Sequence, residues 1–567
     1  MRSRILALFC AITLTFAAYA QPQSFRTMFR NDPATTMVLG WSQPLIGLGN
    51  GTNFQLFYDT VDHGTDESAY ASGPVPVTRQ VMAFKGLNHY FVRLENLPPN
   101  SPIHFLLKYT DPLQTTQYID AYWSETLSDN PNDPISIISG GDSRANYDEP
   151  QRIQESFDAR KESNKIVSKL RADFVMFGGD YTFFNDDEEW MRWMQDWELT
   201  YASDGRITPI IATLGNHEAF PFLPPNGPQV IEQLFDTPVN DGYYALSFGG
   251  NLIRVYTLNT ETEFVEQGKW LEEDLKQHNL NTYWKVAQYH KAIRPHEAGK
   301  SDMDGAYDNW VQHFFDYQVR IAFESDAHVV KTTWPLMPSL EADGTTFCDR
   351  EVEDNFMRVA EDAKGIVFVG EGTWAANRGD ADDPKVWTRG AMPGMNQVKW
   401  TWVTKDKMEV RTVRTYNPAN LNYVNNMEEL TDENRFTEPE GIDIIDGGEG
   451  KVVFITGNGL TPRPVLDECG NVKTTSVQEV LADNKLVIMP NPASKGKVNV
   501  ILKGASARDY SIVMYNLSGK KMVETTGTVN NGSVNKALST ENIPAGTYYI
   551  QLKVGAKTYT QKLVVMK

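Results

Sequence analysis

The chain has 567 residues, 41% hydrophobic and 22% charged, with 53 Lys and Arg against 73 Asp and Glu for a formal net charge of −20. That length exceeds one core and predicts roughly three or four domains at ~150 residues each. So acidic a surface, with no basic stripe, repels a phosphate backbone and argues against nucleic acid as the main partner.

In chain order the first element is an export signal. Arg2 and Arg4 precede an apolar run from Ile5 to Ala18, and Ala18-Tyr19-Ala20 forms a small-residue cleavage pattern before Gln21. The run is shorter than the ~20 residues a membrane span needs, and no later stretch is apolar enough, so no transmembrane segment is predicted. Removing residues 1–20 takes the basic count from 53 to 51 against 73 acids, a net charge of about −22. Cys348 and Cys469 then remain, and the sequence leaves their pairing open.

Residues 21–133 alternate in short runs such as Met37-Val38-Leu39-Gly40-Trp41, Asn53-Phe54-Gln55-Leu56-Phe57-Tyr58 and Tyr90-Phe91-Val92-Arg93-Leu94, separated by Gly, Pro and Asn turns. This predicts a small antiparallel sandwich. Residues 134–420 instead alternate continuous apolar strands with amphipathic helices: Ile135 to Ser139, a charged helix near 151–170, Phe174 to Phe177 and Ile210 to Thr213. The strands at Ile253, Val286 and Ile321 follow. Such strands are buried on both faces, which predicts an α/β sandwich. Residues 421–472 are polar and read as a connector with one strand at Val452 to Ile455. Residues 473–567 return to strands and predict a C-terminal β-sandwich. The fold class is thus multi-domain, a central α/β unit flanked by β-sandwiches.

Five buried strands end in groups able to bind a hard or borderline metal. Ile135 to Ser139 runs into Gly140-Gly141-Asp142-Ser143-Arg144, and Phe174 to Phe177 into Gly178-Gly179-Asp180. Ile210 to Leu214 runs into Gly215-Asn216-His217-Glu218, Val286 to Tyr289 into His290, and Ile321 to Phe323 into Ser325-Asp326-Ala327-His328. The carboxyl ends of parallel strands share one rim, so residues far apart in sequence converge there. Glycine before Asp142, Asp180 and Asn216 allows a sharp turn and a close backbone approach. Carboxylate, amide oxygen and imidazole together suit Zn, Mn or Fe.

This order of motifs resembles the calcineurin-like metallophosphoesterases. The segment Val92 to Asn100 is similar to the fibronectin type III-like module that precedes the catalytic domain in purple acid phosphatases. Gln267-Gly268-Lys269-Trp270-Leu271 is similar to that branch as well. The resemblance implies a secreted phosphatase that hydrolyses small phosphomonoesters by attack of metal-activated hydroxide, with two divalent ions (Fe, Mn or Zn). Asp142, Asp180 and His328 would hold one ion, and Asp180, Asn216, His290 and Asp326 the other, with Asp180 bridging. His217 would be the proton donor. His296 resembles a second substrate-contacting histidine, with an exposed loop histidine as the bland alternative. Arg144 could clamp a phosphate oxygen or pair with an acid. Met489-Pro490-Asn491-Pro492-Ala493, Tyr515-Asn516-Leu517-Ser518-Gly519 and Ile543-Pro544-Ala545-Gly546-Thr547-Tyr548 resemble the sorting domain of type IX secretion cargo. That implies the type IX secretion machinery as a partner, with release or surface anchoring.

Two departures stand out. The family's Gly-Asp-x-x-Tyr has Phe183 in place of the ligating tyrosine, and Tyr181 sits at a position that points elsewhere, so a colourless divalent centre is expected rather than a tyrosinate-Fe(III) one. The family's Gly-His-x-His is Ser325-Asp326-Ala327-His328 here, which shifts preference towards Mn or Fe(II). A phosphodiesterase on the same centre is the runner-up, with Pro335 to Asn355 as a candidate pocket wall or lid. Outside enzymes the rival is a surface adhesin with a degenerate central domain, against which the joint retention of Asp142, Asp180, Asn216, His217 and His290 argues.

Overall fold

A computed structural model describes residues 21–472 and 486–566, except 46–49, 221–223, 348–349, 361–362, 494–495, 530–531 and residues 148, 240, 340, 342, 345, 447, 449, 468 and 506. The expected signal peptide and Cys348 therefore lie outside the described residues. Cys469 is disulfide-bonded. The chain divides into two compact units, Met1–Val472 and Lys473–Lys567.

The alternating N-terminal runs pair into two four-stranded antiparallel sheets. One is ordered Gln23–Met28, Met37–Pro44, Leu87–Leu94, Arg79–Phe84, and the other Ser72–Pro76, Thr52–Asp59, Pro102–Thr110, Thr116–Glu125. Successive strand side chains point to opposite faces, which gathers Leu39, Trp41 and Val92 of the first sheet with Leu56, Phe105 and Leu107 of the second in one core.

The central part holds two seven-stranded sheets. The first runs Ile210–Ala212, Phe174–Phe177, Ile135–Gly140, Gln397–Val403, Lys407–Arg414, and its first three strands are parallel. In the second, Ile253–Thr257, Trp284–Lys291, Val319–Ser325 and Val367–Gly370 are adjacent and parallel. The same two-residue period sorts their faces. Ile135, Ile137, Phe174 and Met176 meet Val255, Val286, Ile321 and Val367 between the sheets. Ile138, Val175 and Phe177 turn outwards to the helices Ile153–Leu170 and Asp187–Trp197. On the far side Tyr256, Ala287 and Phe368 pack with Leu271 and Leu275 of the helix Phe264–Gln277. The order of layers is helix, sheet, sheet, helix.

Helix Asp187–Trp197 shows how local sequence secures this packing. Asp186 caps it by accepting the Glu189 N–H, and Asp187, Glu188 and Glu189 favour the positive end of its dipole. Trp190, Trp193 and Trp197 recur at helical spacing on one buried face. Phe177 meets Trp193 and Trp197 edge-on, each at 5.7 Å. Truncating Phe177 to alanine would cost about 3–5 kcal/mol.

Two stretches differ from expectation. The polar segment 421–472 is no free connector. Its strands Ile444–Ile445 and Val452–Thr456 both pair with Lys407–Arg414, and Tyr423, Val424, Met427 and Leu430 enter the core. The apolar residues that do this are too scattered among Asn, Glu and Gly to show a period. Pro335 to Asn355, the candidate pocket wall or lid, has regular structure that its sequence did not show. Leu336–Pro338 and Arg350–Glu353 join a four-stranded antiparallel sheet with Thr346–Phe347 and Phe356–Arg358, and Lys385 binds Asp354 at 2.8 Å.

The C-terminal unit consists of a three-stranded sheet, ordered Val487–Met489, Lys497–Lys503, Ser533–Ser539, and a four-stranded one, ordered Lys521–Thr528, Asp509–Asn516, Gly546–Val554, Lys557–Val565. Val500, Ile512, Ile550 and Leu563 lie in its core. Among the described residues no helix is long and apolar enough to cross a membrane.

Candidate metal centre

Strands Ile135–Gly140 and Phe174–Phe177 are parallel and in register, with Phe177 beside Gly140. The pairing continues past their ends, since the Asp142 N–H donates to the Gly179 carbonyl and the Ser143 N–H to the Asp180 carbonyl, both at 2.9 Å. Asp142, Asp180, Asp326 and His328 all adopt left-handed backbone, with φ of 62°, 56°, 71° and 60°. Non-glycine residues seldom do so, and such positions cluster at functional sites. Gly215 is required by contact: a Cβ there would lie 2.2 Å from the Asp180 nitrogen.

The turns bring ligand atoms of Asp142, Asp180 and His290 within 4.8 Å of one another, all three buried. His290 Nε2 lies 2.9 Å from Asn216 Oδ1, 3.2 Å from Asp180 Oδ1 and 3.6 Å from Asp326 Oδ1. His328 Nε2 lies 3.1 Å from Asp142 Oδ1, and the Asp326 N–H donates to Asp142 Oδ2 at 3.0 Å. All six expected donors thus stand in one connected cluster.

The donor set fits divalent cations. His290 Nδ1 lies 2.8 Å from the Gly178 carbonyl, which can only accept. That fixes a proton on Nδ1 and aims Nε2 at the carboxylates, so that Nε2 is the nitrogen on which a cation would take the place of the second proton. Burial would lower the His290 imidazole, but Asp180, Asp142 and Asp326 override it and push it up to about 10. So concentrated a negative field is one a cation neutralises.

Around the six donors stand groups of other kinds. Arg144 Nε reaches Asp180 Oδ2 at 3.3 Å, while its buried Nη1 has no hydrogen-bond partner. His217 Nδ1 lies 2.6 Å from the Phe183 carbonyl and its Nε2 3.7 Å from Asp180 Oδ2, facing the cluster; burial lowers its imidazole. His296, expected as a second substrate-contacting histidine with an exposed loop histidine as the alternative, is not exposed: it is fully buried. Its ring lies 5.4 Å from Trp387, neither ring nitrogen has a hydrogen-bond partner, and burial pushes it down to about 4. No hydrogen bond or ion pair joins that ring to the six donors. Tyr181 packs into the core against Phe177 at 4.5 Å and Trp193 at 5.1 Å, away from the donors.

Sequence reading missed three contributors. Glu218 accepts the N–H groups of Asp180, Tyr181, Thr182 and Gly215 and so holds the Gly-Asp turn from beneath; its place in Gly-Asn-His-Glu was the available signal. Lys300 donates to Asp326 Oδ1 at 2.8 Å. Gly372 approaches so closely that a Cβ would stand 2.1 Å from Asp142 Oδ2. For the last two the local sequence offers no signal.

Comparison with known proteins agrees with this geometry. The calcineurin-like phosphoesterase family matches residues 133–330, and the secretion system C-terminal sorting domain matches residues 487–566. The fold is similar to that of the purple acid phosphatase PPD1 from yellow lupin (Lupinus luteus) seeds, at 14% identity over 70% of this chain and 72% of that one, with a TM-score of 0.54. It is also similar to PhoD, at 10% identity over 70% of this chain and 88% of that one, with a TM-score of 0.50. No curated protein matches the chain significantly. The chain therefore carries a calcineurin-like phosphoesterase domain of purple acid phosphatase-like fold, with a candidate metal site at its sheet rim and a secretion sorting domain at its C-terminus.

Proposed function

We propose that this protein is an exported hydrolase of small phosphomonoesters that works with a pair of divalent cations. The observation that carries the reading is the convergence of Asp142, Asp180, Asn216, His290, Asp326 and His328. Asp142, Asp180 and His328 would hold one ion and Asp180, Asn216, His290 and Asp326 the other. Bound there, the ions would supply Lewis acidity towards a phosphoryl oxygen and a nucleophile derived from water at neutral pH.

The chain's own groups do the rest. Arg144, with Nη1 free, pairs with a non-bridging phosphoryl oxygen. His217 serves as the proton donor in its protonated form, in which Nε2, at the edge of the cluster, carries a proton for the leaving oxygen. Its Nδ1 contact to the Phe183 carbonyl keeps the ring in that orientation. The sorting domain is consistent with delivery by the type IX secretion machinery and with surface attachment or release.

Metal analysis of the purified protein, run alongside hydrolysis of a generic phosphomonoester and a diester, tests the reading. Two equivalents of Mn, Fe or Zn and faster monoester turnover are expected, and Asn216→Ala should lose that turnover. Full activity in Asn216→Ala would refute the assignment of the second ion site.

A further inference from the structure

Two consecutive phenylalanines follow the Asp180 turn, and neither is buried in the core. The Phe183 ring lies 5.0 Å from the His217 ring and carries the Arg144 guanidinium at 5.2 Å on its face. Phe184 is 43% exposed. Its ring lies 4.7 Å from Phe183 and 5.0 Å from Tyr147, which in turn stands 5.4 Å from Phe183. Three rings therefore form one patch, reaching from the two groups that face the donor cluster out to solvent.

The patch is also held in place. Glu189 accepts the Phe184 N–H at 2.5 Å and hydrogen-bonds the Tyr147 side chain. One buried carboxylate, on the capped helix Asp187–Trp197, thus anchors the Phe184 and Tyr147 side of the patch. An exposed apolar surface contiguous with a polar centre is informative where a lone exposed phenylalanine is not. Flat rings favour offset or edge contact with another flat ring.

We infer that Tyr147, Phe183 and Phe184 form a shelf that recognises a planar aromatic leaving group on the phosphomonoester. The inference rests on the reading under Proposed function and adds the substrate class. With the phosphoryl oxygens on Arg144 and the donor cluster, the ester oxygen lies towards His217, and the group beyond it leaves over Phe183 towards Phe184 and Tyr147. A phenol-type ester and a nucleoside monophosphate share the required flat ring.

Non-hydrolysable inhibitors test this without interference from leaving-group reactivity. The full-length protein, loaded with Mn(II), is assayed on glycerol phosphate with phenylphosphonate or methylphosphonate as competitor, and separately with adenosine 5′-monophosphate or ribose 5-phosphate. The expected result is roughly tenfold tighter inhibition by the aromatic member of at least one pair. Preference within the first pair alone identifies an aryl ester, and within the second pair alone a nucleotide. Phe184→Ala, at an exposed position, should bring the ratio close to one, whereas Phe454→Ala, another exposed phenylalanine, should leave it unchanged. Equal inhibition within both pairs, or an unchanged ratio in Phe184→Ala, overturns the shelf alone. Failure to hydrolyse any monoester overturns the parent reading and the shelf together.

Discussion

The Lys331 ammonium lies 2.7 Å from Glu371 Oε1 and, on its other side, 2.8 Å from Glu324 Oε2, with all three side chains almost completely buried. Glu324 also accepts the Tyr289 hydroxyl and the Ile293 N–H, both at 2.9 Å, and Glu371 accepts the His296 N–H at 3.1 Å. Tyr289 precedes His290, Glu324 lies two residues before Asp326, and Glu371 adjoins Gly372, which touches Asp142. One buried cation therefore ties together three chain segments that carry or brace the candidate metal ligands.

Replacing that cation by a neutral side chain of similar length, Lys331→Met, leaves two buried carboxylates facing each other. Removing one partner of a buried ion pair costs about 3–5 kcal/mol. Thermal unfolding of chelator-treated wild type and variant should show that loss, and metal content after reconstitution should fall. The loss should shrink at lower pH, where a shared proton relieves the two carboxylates. Unchanged stability and metal content would show that the network does not brace the centre.

Tyr181 is packed among Phe177, Trp193 and Phe235, and burial raises its phenol well above the ordinary value. An iron-loaded protein should therefore show no tyrosinate charge-transfer band in the visible spectrum. Tyr181→Phe should keep the metal content of wild type. A purple iron form that bleaches in Tyr181→Phe would contradict this.

His89 supplies a test in the N-terminal sandwich. Its Nε2 lies 3.0 Å from the Phe84 carbonyl and so carries the proton. Its Nδ1 accepts from Ser42 Oγ at 2.8 Å and Arg26 Nη2 at 3.2 Å. Burial, and then Arg26, push this imidazole down to about 3. The unfolded chain binds the proton first, near pH 6.5, so stability is present above that value and is lost as pH falls towards the folded value. At pH 5 the penalty is about 2 kcal/mol relative to pH 7.5. Denaturant midpoints at the two pH values, in wild type and His89→Gln, measure it, and the variant should lose this part of the slope.

Asp236 follows the helix Pro228–Phe235 and binds Arg30 at 3.2 Å, Arg79 at 2.7 Å and Arg93 at 2.7 Å, all three from the N-terminal sandwich. Its carboxylate is fully buried while Arg93 remains 40% exposed, so solvent screens part of the attraction. Asp236→Asn should destabilise the protein by on the order of 3 kcal/mol. Calorimetry should show the loss, and an unshifted transition would mean that this contact does not couple sandwich and catalytic layers.

Much of the candidate site is legible in the chain itself because its donors obey a local rule. Each closes a continuous apolar strand, and parallel strands leave their carboxyl ends on one rim. Asp142, Asp180, Asn216 and His290 need nothing more, and the direction of Tyr181 follows from its place one residue past Asp180. Lys300 and Gly372 obey no such rule. They reach Asp326 and Asp142 only through loops whose course depends on how distant strands pair.

Sequence alone determined the layered α/β core, the strand-end donors and the β-rich ends, since period-2 burial and glycine turns are written residue by residue. Tertiary structure decided the burial of His296, the joining of Ile444–Ile445 and Val452–Thr456 to the first sheet, and the Lys331 network. Burial and ion pairing depend on what other segments bring to the same place, and no local pattern encodes that.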